Sequence, residues 1–367
     1  MKGDGRMKKK ILAVAFLVSS LPVFLFADGI TPASVTGTVD VGGSYTITKT
    51  VTISDASPTS AKVDVFFMCD ATGSMGGLIS SVKTAAGSIL SNVSGLGDVE
   101  FAVGSYKDEP ISPYGSPEDY AFNLDCNLSN AATAQAAINT WNAAGGNDAP
   151  EAQLYALAQS AQQTSWRDGS TRIMVWFGDM PGHDPAAPDI GGGTTEAQAT
   201  AALVNNSVHV EAMNVYTGIP YEGTGLDATG QATRIAAATD GTYYPSLNTS
   251  AIVSDITGAI TSVFQTYDNV SLEVVGADNV TVTTTSGYTG TYDRSAARTF
   301  GFDVTVTGAT PGDDDFVVNA LVDGGIVATE SDHFTVTSPS SVPEPGSFAL
   351  ISMGLVALLG YGIRRKK

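Results

Sequence analysis

The sequence predicts an α/β domain with a mostly parallel six-stranded sheet, inserted into a β-sandwich that the two flanks of the chain build together. Apolar strands alternate with helical patterns across residues 62–264, the order expected of a parallel sheet with crossover helices. Residues 34–53 and 270–336 are instead rich in Val, Thr and Tyr at period two, separated by turns such as Val41-Gly42-Gly43-Ser44 and Asp323-Gly324-Gly325. That pattern belongs to half-buried strands. The N-terminal flank has room for only about two strands, and an isolated hairpin is at best marginally stable, so it is expected to pair with the C-terminal flank.

Within the α/β region the candidate strands are 63–69, 99–107, 120–124, 172–178 and 208–215, with Tyr243 and Tyr244 marking a short sixth. Helical patterns fill 77–90, 131–141, 150–163, 195–205, 228–238 and 250–266. Asn130 precedes the second helix as an N-cap, and Pro150 is placed in the first turn of the third, with Glu151 after it. The resulting division is a signal peptide at 1–27, sandwich strands at 28–60, the α/β domain at 61–267, further sandwich strands at 268–338, a linker with a Pro-Glu-Pro motif at 339–346, a membrane-spanning segment at 347–363 and a basic tail at 364–367.

The charge is distributed to suit export. From residue 28 to 342 there are 9 basic and 35 acidic residues, a net charge of about −26. A surface of that sign repels phosphate backbones and anionic headgroups, which argues against nucleic acid and lipid-surface binding. At the N-terminus, Lys8, Lys9 and Lys10 lead into an apolar run through Phe26 and then Ala27, the layout of a secretory signal. Cys69 and Cys126 are too few to form a disulfide framework, and Cys69, within an apolar strand, reads as a buried thiol.

The candidate site follows from sheet geometry. Ligands of open parallel sheets bind beyond the carboxyl ends of the strands, where strand order reverses. The first strand ends at Cys69, so Asp70, Thr72 and Ser74 stand on that rim as one carboxylate and two hydroxyls on alternate residues, with Gly73 allowing a tight loop. Mg²⁺ takes oxygen ligands at ~2.0–2.1 Å and keeps several waters, so this set suits Mg²⁺ or Mn²⁺. Two more acidic loops fall on the rim, Gly145-Gly146-Asn147-Asp148-Ala149-Pro150-Glu151 and Gly178-Asp179-Met180-Pro181-Gly182-His183. Asp148 and Asp179 are the expected completing carboxylates, with Asn147, Glu151 and His183 as a partner-binding rim. The acidic run Asp313-Asp314-Asp315 reads as a solvated turn, with Ca²⁺ binding as the alternative.

The segment from Phe67 to Gly76, Phe-Met-Cys-Asp-Ala-Thr-Gly-Ser-Met-Gly, resembles the first strand and metal loop of a von Willebrand factor A domain. The Gly-Gly-Asn-Asp-Ala-Pro-Glu-Ala segment, the strand-Asp-Met-Pro segment and Ile235-Ala-Ala-Ala-Thr-Asp-Gly-Thr-Tyr-Tyr resemble later parts of that domain, so the likeness covers residues 62–264. It implies a metal-ion-dependent adhesion site in which an acidic group of a partner takes an open position on the ion. Asp70, Thr72 and Ser74 carry over directly, Asp179 is expected to hold waters or hydroxyls, and Asp148 stands in a loop where many members present Thr. Insertion into a sandwich also resembles integrin β chains, in architecture alone.

Pro343, Glu344 and Pro345, followed by a 17-residue apolar segment at 347–363 and by Arg364, Arg365, Lys366 and Lys367, resemble the PEP-CTERM sorting signal. That resemblance implies processing by an exosortase-type protease and a chain that is exported and transiently anchored, at the cell surface or in extracellular polymer.

An enzyme is not expected. Ser74 has Thr72 where a nucleophile elbow needs Gly, Val82 stands where a phosphate-binding loop needs Gly before Lys83, and His183, His209 and His333 lack zinc-hydrolase spacing. The leading expectation is therefore metal-dependent adhesion to a protein or extracellular polymer. The alternatives are a passive component of extracellular polymer and, less favoured, a metal-dependent hydrolase.

Overall fold

The computed structural model describes residues 27–186, 193–215 and 224–338. The motif residues Pro343, Glu344 and Pro345, the expected span at 347–363 and nearly all of the signal peptide lie outside the described residues. Among the described residues, no helix is long and apolar enough to cross a membrane.

The chain opens with three strands, β1 (Gly29–Thr31), β2 (Thr36–Asp40) and β3 (Ser44–Ile53). The α/β region then runs β4 (Ala61–Asp70), α1 (Gly76–Ser94), β5 (Gly97–Tyr106), β6 (Asn123–Ser129), α2 (Ala131–Ile138), α3 (Gln153–Gln163), β7 (Thr171–Gly178), α4 (Glu196–Asn205), β8 (Val208–Asn214), α5 (Gln231–Ala238), β9 (Tyr243–Tyr244) and α6 (Ile252–Ser262). Six strands close the described chain, namely β10 (Thr266–Val275), β11 (Val280–Thr284), β12 (Tyr288–Asp293), β13 (Arg298–Gly308), β14 (Gly312–Val322) and β15 (Gly325–Thr337).

The central sheet has the order β6-β5-β4-β7-β8-β9, parallel except for the antiparallel edge pair β5–β6. Its middle strands are apolar on both faces because both are covered. On β4, Val63, Val65, Phe67 and Cys69 face the layer that includes α1 and α6, while Phe66 and Met68 face the layer of α3, α4 and α5. Helix α1 buries Leu78, Ile79, Val82, Ala86, Ile89, Leu90 and Val93, a three- and four-residue spacing that forms one apolar stripe. The Asn130 side chain accepts from Thr133 N at 3.0 Å and caps α2.

The flanks interleave in two sheets, ordered β1-β3-β13-β11 and β12-β10-β14-β15-β2. Strand β3 pairs along its whole length with β13, and β2 adds in parallel to β15, so the N-terminal flank supplies three strands where the composition suggests two. A buried ion pair joins the first described residues to the return from the α/β domain. Arg294 donates to Asp28 at 2.8 and 2.7 Å, to the Ser54 and Ala56 carbonyls and to the Phe264 carbonyl.

Three local expectations are corrected. The edge strand is Asn123–Ser129 rather than 120–124, because Tyr120 lies in the loop that returns over β5, where its carbonyl accepts from Lys107 N. Helix α3 begins at Gln153, so Pro150 and Glu151 precede it; Glu151 is tied by its backbone to Pro181 O and His183 N instead. Asp313-Asp314-Asp315 is strand rather than turn, since it lies in β14, and Asp314 is buried with its carboxylate accepting from the backbone of Asp278, Asn279 and Val280. Asp315 bonds His333, and Asp313 accepts from Thr335 Oγ1. Cys69 and Cys126 are both free thiols.

Candidate metal centre

Strand order reverses between β4 and β7, and the site lies at their carboxyl ends, where an open sheet leaves a crevice. Asp70 closes β4 and is fully buried. Its Oδ1 accepts from Thr72 N at 2.9 Å and Thr72 Oγ1 at 2.7 Å, and Thr72 Oγ1 is 3.3 Å from Ser74 Oγ. The Asp-x-Thr-x-Ser spacing thus folds into a loop whose three side chains touch in sequence. Asp70 Oδ2 is buried with no hydrogen-bond partner. Burying such an oxygen unpaired is costly.

The two other acidic loops close over it. Gly145 and Gly146 adopt positive φ, at 82° and 75°, and let the loop press against the metal loop through Gly73 N to Gly145 O at 3.1 Å and Ala144 N to Ala71 O at 3.1 Å. Asp119 fixes that loop by accepting from Gly146 N at 3.1 Å and Ser116 N at 2.8 Å, and Lys107 lies 3.7 Å from its other oxygen. The loop after β7 is held by two helix glutamines, with Gln153 donating to Met180 O and Gln231 bonding both backbone groups of Gly182. At Gly178 a Cβ would meet Tyr106 Oη and Leu226 at 2.7 Å and stand 3.7 Å from Asp70 Oδ2, so the end of β7 is open only to glycine.

The expected residues divide between two neighbouring clusters. Asp70, Thr72 and Ser74 stand together, with Asp179 buried at the end of β7. Glu151, expected on the rim, is 3% exposed, because its pairing with Gly182 turns the side chain inward; a Cβ on Gly146 would lie 3.2 Å from both Glu151 Oε1 and Thr72 Cβ. Glu151 Oε2 also lacks a partner. Asp148 joins a different group, with its Oδ1 3.2 Å from His183 Nε2 and Asp108 Oδ1 3.7 Å from the same nitrogen. The ligand atoms of Asp108, Asp148 and His183 lie within 4.8 Å of one another. Asn147 is exposed beside them, and the His183 ring packs edge-on against Tyr114 at 4.9 Å.

Sequence reasoning missed Asp108, buried just beyond β5, and Asp119. Asp108 was within reach, since it follows a central strand as Asp70 and Asp179 do. Asp119 carries no such signal, because its role depends on a loop 27 residues away.

The electrostatics are those of carboxylates crowded out of water. Burial, then the Asp179 charge, push the Asp70 carboxyl up to about 7 against the two Thr72 bonds. Burial, then Asp70, Asp108, Asp179 and Asp148, push Glu151 up to about 11. Asp148 rises to about 6 through burial and Asp108, partly offset by His183. Burial disfavours the His183 imidazolium, yet Asp108 and Asp148 outweigh it and raise its pKa. Hard oxygen ligands, unpartnered buried oxygens and mutual repulsion form a donor set that a divalent cation would satisfy.

A model of the PEP-CTERM protein-sorting motif matches residues 341–366, which marks the chain for export and surface sorting with an exosortase as its processing partner. No curated protein matches the sequence. Among solved structures, the chain is similar to a von Willebrand factor type A protein from Catenulispora acidiphila, at 16% identity and TM-score 0.40, over 82% of this chain and 71% of that one. It is similar to the pilus adhesin SpaC from Lactobacillus rhamnosus GG at 12% identity and TM-score 0.40, over 79% and 46%. Proximal thread matrix protein 1 from the mussel byssus, with a zinc-occupied MIDAS motif, is similar at 14% identity and TM-score 0.39, over 58% and 48%. The chain spans under half the length of the last two. The α/β domain is defined by its strand order β6-β5-β4-β7-β8-β9 and by the Asp70–Ser74 loop at the end of β4. The chain thus carries a PEP-CTERM sorting motif behind an α/β domain whose Asp70–Ser74 loop resembles the metal loop of von Willebrand factor A domains.

Proposed function

We propose that the protein is a non-enzymatic adhesion or matrix-binding protein that holds Mg²⁺ or Mn²⁺ at Asp70, Thr72 and Ser74 and engages an acidic group of a protein or extracellular polymer through that ion. The observation that carries this reading is Asp70, whose Oδ1 is taken up by Thr72 while Oδ2 is buried and unpartnered. Asp179 and Glu151 add buried carboxyl groups beside it. A bound divalent ion supplies a positive centre for an anionic ligand group. The chain's own residues fix where that centre sits, exclude water on the buried side and leave the partly exposed Ser74 side open. The surrounding acidity disfavours long-range capture of acidic partners, so contact is expected to depend on the ion at short range. The sorting tail makes the surface or extracellular polymer the place where this happens, with release after processing of the tail.

The test is capture of extracellular polymer and surface proteins by the exported protein in Mg²⁺ against EDTA, with Asp70→Ala alongside. Capture that needs Mg²⁺ and is lost in Asp70→Ala is expected. Equal capture in both buffers would identify a passive polymer component instead.

A further inference from the structure

The core of the β-sandwich holds three charged side chains that the metal centre does not use. Lys49 occupies an inward position on β3, between Ile47 and Val51, and is 0% exposed. Glu330 and Asp332 occupy successive inward positions on β15, between Ala328 and Phe334, with side chains 1% exposed. Phe302 is the cross-strand neighbour of Lys49. Apolar clusters lie on either side of the three, one including Val51 and Phe302 and the other Phe334 and Val336.

Their geometry is tighter than a salt bridge requires. Lys49 Nζ is 2.5 Å from Glu330 Oε1 and 3.1 and 2.9 Å from Oδ1 and Oδ2 of Asp332. Near-equal distances to both oxygens set the amine facing the Asp332 carboxyl carbon. Val35 N donates to Asp332 Oδ1 at 2.7 Å. One ammonium and two carboxylates removed from water leave an uncompensated negative charge, and a buried ion pair gains little over apolar packing. A covalent amide in the same place carries no charge. Burial also pushes the Glu330 carboxyl up to about 7, against the lowering influence of Lys49, so it can both take and give a proton near neutral pH.

We propose that Lys49 Nζ and Asp332 Cγ join in an intramolecular amide bond, with Glu330 carrying the protons. Glu330 takes a proton from the ammonium and passes it to Asp332 Oδ2, leaving a neutral amine against a neutral acid. The nitrogen lone pair forms the bond to Cγ while the carbonyl pair moves onto Oδ1, held by the Val35 N–H. A second nitrogen proton reaches Oδ2 through Glu330, the Cγ–Oδ2 bond breaks and water leaves. Ammonium and carboxylate become amide and water, nothing is oxidised or reduced, and Glu330 is regenerated.

The bond would tie the strand that enters the α/β domain to the last strand before the sorting tail. Load applied at the tail would then pass from β15 into β3 covalently rather than through the ladder of hydrogen bonds. This inference does not depend on the metal centre.

Intact mass spectrometry of the exported full chain, with its termini sequenced, tests it. The expected mass is one water below that of the sequence, and digestion should yield one branched peptide joining Lys49 to Asp332. Lys49→Arg keeps the charge and should show the full mass, as should Glu330→Gln. Full mass in the wild-type protein, with Lys49 and Asp332 on separate peptides, overturns the proposal. Should either variant fail to fold, the wild-type digest decides alone. A linked peptide in Glu330→Gln at wild-type yield overturns the role given to Glu330.

Discussion

Replacing Asp70 by asparagine should stabilise the metal-free protein and abolish its response to metal. In the fold the Asp70 carboxyl is raised from 3.8 to about 7 by burial and by Asp179. A group with a raised folded pKa contributes stability that is full below its unfolded pKa and is lost as pH rises through the folded value. Metal-free wild-type protein should therefore weaken between about pH 4 and pH 7 on account of this group. At 1.36 kcal/mol per pH unit, the displacement corresponds to about 4 kcal/mol at pH 8. That figure is an upper bound, because protonating one carboxyl relieves its neighbours. The asparagine amide would keep an acceptor for Thr72 and carry no charge, so most of this penalty disappears. At ~2–4 °C per kcal/mol, the melting temperature in EDTA at pH 8 should rise by up to about 16 °C. Mg²⁺ at a hundred times its dissociation constant should stabilise wild-type protein by about 2.7 kcal/mol and leave Asp70→Asn unmoved. Thermal melts in EDTA and in Mg²⁺, at pH 5 and pH 8, measure all four states. A lower melting temperature for Asp70→Asn in EDTA, or a Mg²⁺ response that survives the substitution, refutes the reasoning.

Other perturbations follow from the same geometry. Metal affinity should fall between pH 8 and pH 6, since Asp70 and Glu151, held up to about 7 and about 11, must lose protons to bind a cation; titration in two buffers of different ionisation enthalpy should show proton release, and a pH-independent affinity counts against the site. Gly145→Ala should cost at least ~1–3 kcal/mol in denaturant unfolding, because its φ is 82° and a Cβ there overlaps Asp119 Oδ1; an unchanged midpoint contradicts this. His183→Ala should lower affinity for transition metals more than for Mg²⁺, because it removes the nitrogen ligand from the Asp108 and Asp148 cluster and leaves the oxygen set intact; equal losses for both metals would merge the two clusters into one site. Arg294→Ala strands the buried Asp28 carboxylate and should cost about 3–5 kcal/mol, read from the unfolding free energy, with a loss under about 1 kcal/mol taken as contrary.

The central strands were legible because their sequence reports burial on both faces. Residues 65–69 and 173–177 are continuous apolar runs, as strands covered on both faces require. The flanks were legible through period-two alternation, which Lys49, Glu330 and Asp332 interrupt by placing charge at inward positions. The edge strand was misplaced because β6 is mostly half-buried and carries Asn, Asp and Ser. Its pairing with β5 is irregular, with register shifts that no local pattern encodes.

By itself the sequence determined most of the order of elements, the Asp70–Ser74 loop and the sorting motif, since each is written in neighbouring residues. Asp70, Thr72 and Ser74 touch because a five-residue loop leaves them no choice. Only the tertiary structure decided which distant carboxylates share that space. Asp148 lies three residues from Glu151, yet the bridge between Glu151 and Gly182 sends Glu151 inward and leaves Asp148 beside His183 and Asp108. That partition depends on how loops from three strands stack over the sheet. The same holds for the sandwich core, where residues 49 and 332 meet only because the chain returns after a whole inserted domain.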